Sequence, residues 1–566
     1  MAKQNNFQNY ELNIYKINSE KKLDSYLAEF LRINKDIKHY NIIRNEDYDV
    51  LYFSYLNPIK DNEITWFKRW KDFFPEITTE LINKSQTGHG LILIKLNKCN
   101  GLYAIVFGRA YPLIKNYIID QFGMDMAARL FDGKSIDSAS SKFFSLIKNK
   151  AMTSYYGDST FQYGDNEAID MFKADIVPYK HEEHNSLNDL ILIIKSKIMV
   201  GIDNVKLTLR KDKVELNDLY VVCDHLENIL NYYEERFNPP RMTPVKGEKI
   251  KELDMNMLNE ILNDKDIINI TVPIFSKDSN DEYVFLNNIE DFQFAIGRIK
   301  SEKFERLDKE KMFDFVKENK DSIKDLRHLK ILIGDYEDLL IKWLDYQLDA
   351  GETTYALNNG RWYSFNKRYI ENIHERIKEF EEDGIIQIDN NYSFNLQNEQ
   401  EYLQNNREDI QSCYGEGDPY REFIYNHYLS QKNNFYLFDR VNFKDNIEVC
   451  DLYGNNTLFH CKIGNTRSLE ECLRQSLYGL KYFFQKENDV KTKNNVKGQS
   501  IGNVTDIKVI YLKEQGDIVN FKVSKLRSLR AKQTFIDWVN ICRQLNKKPK
   551  LIVAKYTNED KTGGSI

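Results

Sequence analysis

At 566 residues the chain has room for three or four domains of a typical ~150 residues each, and its 42% apolar, Gly- and Pro-poor composition excludes a collagenous or low-complexity disordered protein. Seven scattered cysteines (Cys99, Cys223, Cys413, Cys450, Cys461, Cys472 and Cys542) with no C-x-x-C exclude a disulfide framework. No apolar h-region opens the N-terminus, and no run approaches the ~18 uninterrupted apolar residues of a spanning helix, so a cytoplasmic protein without a membrane partner is expected. The net charge of -6 hides an asymmetry: residues 401–566 carry 26 Lys+Arg against 20 Asp+Glu, the first 400 carry 54 against 66, and a polyanion is expected to meet the C-terminal end.

The opening YELNIYKI (10–17) alternates like a half-buried strand, and LDSYLAEFLRI (23–33) has helical spacing. VLYFSYL (50–56), LILIKLN (91–97) and GLYAIVFGR (101–109) predict strands, the last two joined as a hairpin through Lys98-Cys99-Asn100. One long amphipathic segment is expected over 110–131, which completes an α+β domain of residues 1–150. No phosphate loop or dinucleotide fingerprint accompanies these strands.

Residues 151–330 predict a mixed α/β domain with a helix over 213–237, stopped before Pro239-Pro240, and a buried strand over 267–275. His181-Glu182-Glu183-His184 places two histidines three apart in a polar stretch, not four apart as the zinc-protease helix requires. A connecting region, 331–400, predicts a helix over 335–348, a strand pair around Asn358-Asn359-Gly360 and a helix over 368–382; Trp343 and Trp362 are expected to pack a core. No internal repeat is evident.

Residues 401–566 form the last expected domain. A helix over 420–429 precedes two strands, NIEVCDLY (446–453) and TLFHCKIG (457–464), joined by Gly454-Asn455-Asn456, and a helix over 467–484 follows. Asp451 sits near the end of the first strand, and His460 and Lys462, two apart on the second, share a face. A carboxylate beside a lysine suits metal-assisted phosphodiester cleavage: the carboxylate holds a divalent cation, and the lysine orients the nucleophile or offsets phosphate charge. Glu422, one turn from Asn426 on the preceding helix, offers a second carboxylate, whereas Glu448 faces the other way in a regular strand and joins only through a bulge. Cys450, Cys461 and Cys472 are expected to be buried, because strand alternation keeps one ion from collecting them with His460. The run 486–498 reads as a polar mobile loop, with strands at 506–514 and 550–556 flanking a helix around 526–545.

The order helix, hairpin, helix with Glu422, Asp451 and His460-x-Lys462 resembles the restriction-endonuclease-like nucleases of the PD-(D/E)xK type, and Gln475 falls where relatives often carry a polar active-site residue. The resemblance implies a C-terminal α/β domain with a mixed central sheet, Glu422 and Asp451 as metal ligands, Lys462 as the catalytic lysine, and His460 and Gln475 as orienting or auxiliary groups. His460 stands where a carboxylate or amide is usual, which implies weakened Mg²⁺ binding, a preference for Mn²⁺, or lost activity. The segments IVFGRAYPLIKNYIIDQFGMDMAARL, NNGRWYSFN, EFIYN, IEVCDLYGNNTLFHCKIG and VSKLRSLR are similar to a sporadically distributed bacterial family of about this length found near restriction and other defence genes, which also shows a histidine before the strand lysine.

The expectation is therefore a multidomain α/β and α+β protein whose C-terminal domain hydrolyses nucleic acid, DNA ahead of RNA, with Mg²⁺ or Mn²⁺, in antiviral or anti-plasmid defence. Lys522, Lys525, Arg527 and Arg530 are the expected nucleic-acid contacts. The alternative is an inactive nucleic-acid-binding or protein-binding sensor or scaffold of a defence system; a partner protein and oligomerisation stay open.

Overall fold

The computed structural model describes residues 8–37, 39–58, 86–132, 134–143, 150–154, 167–178, 185–263, 268–270, 275–277, 283–285, 292–304, 309–323, 325–333, 336–415, 417–441, 448–514 and 516–557. The described chain is mixed α/β and divides into two compact units, one essentially of residues up to Pro239 and one from Pro240 onward, where the sequence suggested four segments.

The first unit is built on a ten-stranded sheet in the order 40–44, 48–58, 86–96, 102–107, 8–16, 204–211, 197–201, 167–175, 136–143, 150–154. The strand pair Ile136–Phe143 and Lys150–Ser154 is antiparallel, so the sheet carries on through the boundary expected at residue 150. Both faces of the central strands are apolar and each builds a core. Leu12, Ile14, Ile94, Tyr103 and Ile105 pack with the helices Phe122–Leu130, Asn185–Ile193 and Leu216–Tyr232. Their strand neighbours Tyr15, Leu91, Leu93, Leu102 and Ala104 pack with Leu23–Ile33, a helix whose bounds match the sequence reading. The hairpin around Lys98-Cys99-Asn100 forms, with Asn100 at φ +57°.

The single helix expected over 110–131 is instead two, Tyr111–Ile114 and Phe122–Leu130. Between them the chain hydrogen-bonds elsewhere: Ile119 N donates to Lys16 O at 2.9 Å, Ile118 bridges Ile17, and Gln121, at φ +67°, donates its N–H to Asp203 Oδ1. Pairing with the first strand outcompetes local helical spacing. The His181 to His184 stretch and most of the strand expected over 267–275 lie outside the described residues.

In the second unit, residues 336–350 form strands around a 3-10 turn, Leu340–Trp343, rather than the helix expected over 335–348. Leu340, Ile341, Trp343, Leu344 and Tyr346 are all buried, leaving no polar face for a surface helix, and Asp338 caps the turn by accepting from Lys342 Nζ at 2.6 Å and Trp343 Nε1 at 3.2 Å. Trp343 and Trp362 share one core, and Trp362 Nε1 donates to buried Asp254. The hairpin Thr353–Asn358 to Arg361–Asn366 turns at Asn359 and Gly360, both at positive φ, and Asn366 caps the following helix Lys367–Glu382.

The C-terminal part is a seven-stranded mixed sheet with flanking helices. In chain order its elements are β1 (Ile386–Ile388), α1 (Arg407–Tyr414), α2 (Arg421–Asn433), β2 (Tyr436–Leu437), β3 (Leu452–Gly454), β4 (Thr457–Gly464), α3 (Thr466–Gln485), β5 (Asp506–Lys513), α4 (Leu529–Gln544) and β6 (Lys548–Thr557). The spatial order is β1-β6-β5-β4-β3-β2, with Phe394–Asn395 also pairing with β6. β1, β6, β5 and β4 run parallel, whereas β3 and β2 are antiparallel. Parallel strands buried on both faces carry apolar residues on both; β4 does so with Leu458, Phe459, Cys461 and Ile463, and β5 with Val509, Ile510, Tyr511 and Leu512. Tyr425 and Leu429 of α2 cover the face that carries Phe459, Cys461 and Ile463, and α3 and α4 pack against the sheet as well.

Two expectations fail here. The strand read over 446–453 is regular only from Leu452; Glu448 makes a single bridge and Val449 to Asp451 are irregular. The run 486–498 holds the short helix Glu487–Thr492 and an Asn494 to Ser500 bridge, because Asn495 gathers the turn by bonding Leu437 O, Lys497 N and Gln499 N.

Candidate active site

Three carboxylates converge at the edge where β3 begins. Asp439, Glu448 and Asp451 each offer an oxygen within 4.8 Å of the others. Asp451 reaches this place through the ladder: its N–H donates to Phe459 O, and its Oδ2 accepts from Cys461 N at 2.6 Å. Asp439 arrives on the loop after β2, where the N–H groups of Phe438 and Asp439 both donate to Asp451 O. Its carboxylate is gripped by Tyr420 Oη at 2.6 Å, from the N-cap of α2, and Asn426 Nδ2 at 2.7 Å, from the middle of that helix. Glu448 Oε1 accepts the Arg440 N–H at 2.5 Å.

The irregular backbone from 448 to 451 is what lets Glu448 join. In a regular strand it would face away; here Glu448 makes one bridge, the backbone then leaves the ladder as far as Asp451, and the two carboxylates come together. α3 presses on this segment at Gly479, where a Cβ would lie 2.4 Å from Val449 O.

Electrostatics mark the cluster. Burial, then the charge of Asp439, pushes Asp451 far above the usual carboxylate range. Burial likewise raises Asp439, against the hydrogen bonds from Tyr420 and Asn426. Burial and the charges of Asp439 and Asp451 raise Glu448 further still. Two buried carboxylates and a half-buried third cannot all ionise side by side without a cation. Asn426 Oδ1, 1% exposed as a residue, has no hydrogen-bond partner among the described residues and adds a spare oxygen beside Asp439.

Lys462 provides the nearby positive charge. Burial opposes its ammonium, but the carboxylates of Glu471, Glu422 and Asp451 outweigh burial and hold it above the ordinary lysine value. Its Nζ lies 3.8 Å from Glu471 Oε1 on α3. Burial would raise Glu471, but Lys462, Arg467 and Arg474 pull it below the usual range. Glu422, half-buried in the first turn of α2, is close enough to add its charge to Asp439, Asp451 and Lys462.

Of the residues singled out from sequence, the structure thus brings together Glu422, Asp451 and Lys462. It does not bring in His460: the ring is buried, bonds to the Val449 backbone, and is driven down to about 3 by burial. Its nitrogens belong to neither of the groupings of possible ligands found among the described residues. Gln475 is half-buried one turn beyond Glu471 on α3. Cys450, Cys461 and Cys472 are buried thiols. Sequence reasoning missed Asp439, a lone acid behind a two-residue strand that no pattern announces, and Glu471, whose place one turn before Gln475 was the available signal.

At the carboxyl ends of β4 and β5, a cleft of about 1280 Å³ is lined by Asn465, Lys513, Lys522, Lys525 and Arg527, with Lys367 and Lys532 on other walls; Asp439, Glu448, Asp451 and Lys462 are not among its lining residues. Lys522, Lys525 and Arg527 are exposed. Arg530 is not one of its walls: its Nε lies 3.1 Å from buried Glu470 and its side chain is 11% exposed. Acidic Asp349, Glu352, Glu371 and Asp517 also line the cleft.

Among the described residues no helix is long and apolar enough to cross a membrane. The chain belongs to a family of unknown function, DUF6119, whose model matches residues 12–470, a span that takes in every carboxylate of the cluster except Glu471 together with Lys462. No curated protein matches the chain.

Proposed function

For a member of a family without assigned activity, we propose metal-dependent hydrolysis of nucleic-acid phosphodiester bonds. The observation that carries this reading is the convergence of Asp439, Glu448 and Asp451 beside Lys462. The donor set fits a hard divalent cation such as Mg²⁺ or Mn²⁺: it is all oxygen, its burial leaves negative charge uncompensated, and Asn426 Oδ1 lacks a partner. With His460 turned away, the objection that an imidazole weakens Mg²⁺ binding falls away.

When bound, the cation would lower the pKa of an attacking water and draw charge from the phosphate oxygens. The chain's own residues do the rest. Asp439, Glu448 and Asp451 would hold the ion. Lys462, kept charged by Glu422 and Glu471, positions the water and offsets the extra negative charge as the new P–O bond forms and the bond to the leaving oxygen breaks; that oxygen departs with a proton. Lys513, Lys522, Lys525 and Arg527, which line the large cleft at the carboxyl ends of β4 and β5, would take backbone phosphates, which supports nucleic acid as the substrate class. A role in antiviral or anti-plasmid defence rests on the resemblance in sequence.

The test is cleavage of plasmid DNA and of RNA with Mg²⁺ or Mn²⁺ in wild type, Lys462→Ala and Asp451→Asn. Cleavage that EDTA stops and both substitutions abolish is the expected result. Salt-sensitive binding without cleavage, unchanged by EDTA, would leave the gripping role alone.

A further inference from the structure

Asp409 and Cys413 lie one turn apart on α1 and so share a side of that helix. α2 sets His427 against them, and a carboxylate oxygen, the Cys413 Sγ and a His427 ring nitrogen all lie within 4.8 Å of one another. His427 is fully buried, its Nδ1 2.9 Å from the Tyr402 hydroxyl. Its Nε2 lies 3.1 Å from Asp409 Oδ2 yet makes no hydrogen bond of acceptable geometry. A core histidine ordinarily uses both nitrogens in hydrogen bonds; this one sets Nε2 against a carboxylate, with the Cys413 thiol within 4.8 Å of the ring nitrogen that joins the group.

That spacing is what a shared ion requires. Two ligands on a tetrahedral centre with bonds of ~2.0–2.1 Å sit roughly 3.3 Å apart, close to the Nε2 to Oδ2 separation here. The outer partners are also in place. Tyr402 fixes the imidazole through its other nitrogen, and Lys497 Nζ, 3.1 and 3.3 Å from the two Asp409 oxygens, orients the carboxylate. A pocket of about 160 Å³ lined by Cys413 and His427 gives entry from solvent and room for a water as fourth ligand.

We propose that Asp409, Cys413 and His427 form a second metal site, for a divalent transition ion of the zinc class. Its mixed oxygen, sulfur and nitrogen donors select a softer ion than the all-carboxylate cluster does. The site ties α1 to α2, the helix that carries Glu422 and Asn426, and the same pocket is bounded by Asp439, so the ion would brace the backbone that presents the first cluster. The proposal does not depend on that cluster being hydrolytic.

The full-length chain, stripped with chelator and titrated with Co²⁺, should take up one ion that gives tetrahedral visible bands and a thiolate-to-cobalt absorption in the near ultraviolet. Cys413→Ser should remove the thiolate absorption, His427→Gln should weaken binding at least ~10-fold, and Asp451→Asn should leave both unchanged. Zinc should raise the Tm of wild type and not of the first two variants, each checked for a wild-type far-ultraviolet spectrum without metal. No thiolate absorption in wild type, or one that persists in Cys413→Ser, would overturn the site. No cleavage by the wild type with the cobalt spectrum intact would count against the hydrolase reading alone.

Discussion

Gly479 of α3 and Val449 are in such close approach that a methyl group on the glycine would fall 2.4 Å from the Val449 carbonyl oxygen and 3.2 Å from that of Glu448. The contact is backbone against helix, with no flexible side chain to give way. It therefore sets where the irregular segment, and with it Glu448 and Asp451, comes to rest.

Gly479→Ala should displace that segment. Overpacking of this kind costs about 1–3 kcal/mol, so a chemical denaturation curve should shift by that amount. Divalent-ion affinity at the carboxylate cluster should fall more than the stability does. Unaltered calorimetric titration with Mn²⁺ would show that the contact does not position the ligands.

Glu448→Gln removes one of three crowded carboxylates whose burial already opposes ionisation. The ion-free protein should become more stable by about 0.5–2 kcal/mol, while the Tm rise on adding Mn²⁺ shrinks or vanishes. Differential scanning calorimetry with and without Mn²⁺ reads both. Equal losses in the two conditions would mean that Glu448 serves only packing.

Asp345 gives a pH signature away from the cluster. Burial, then the charge of Glu470, pushes its carboxyl up from 3.8 to about 6, with Arg530 and the Ser528 hydroxyl pulling the other way. The folded state then holds this proton more tightly than the unfolded one, so its contribution is complete below about pH 4, is lost as pH rises to about 6 and stays lost above. The loss amounts to about 3 kcal/mol. Asp345→Asn should therefore stabilise the protein relative to wild type at pH 8 and much less at pH 4. A variant-minus-wild-type difference that is flat across this window would refute the shift.

Much of this architecture could be read from the sequence, and the failures have physical causes. β4, with Leu458, Phe459, Cys461 and Ile463 close together before Gly464, and the helix Leu23–Ile33, with one clean apolar stripe, announce themselves by their apolar spacing. The hairpin turns at Asn359-Gly360 and Asn455-Asn456 announce themselves by residues that tolerate positive φ. Residues 336–350 misled because their apolar side chains are buried all round, so that helical spacing and strand runs look alike. Lys462 and Glu422 were legible because they sit on a regular strand and a regular helix, and Asp451 because it directly precedes β3 and pairs across to β4. Asp439 was not, and Glu448 was admitted only on condition of a bulge, because hydrogen bonds to Asp451 O and from Arg440 N in irregular backbone place them, and no periodicity encodes those.

Lys522, Lys525 and Arg527 line the large cleft as exposed cations, whereas Arg530 is engaged with buried Glu470. Replacing the first three by alanine should weaken nucleic-acid binding without regard to sequence and lower the slope of log affinity against log salt by about 2–3. Arg530→Ala should instead lower thermal stability, since it strands Glu470. Fluorescence anisotropy across a salt series separates the two effects, and an unchanged slope for the triple variant would place the polyanion elsewhere.

β1 and β6 are adjacent parallel strands, with Ile386 opposite Leu551, yet about 160 residues of chain separate them. At ~5–20 residues per second on the ribosome, β1 waits on the order of ten to thirty seconds for its neighbour to be made. Until residue 557 has emerged, β5 also lacks its flank and the floor beneath the carboxylates is open on that side. A nascent chain can thus carry every carboxylate of the cluster without the full sheet behind them, so that an aligned set of oxygens becomes available only once β6 has been made.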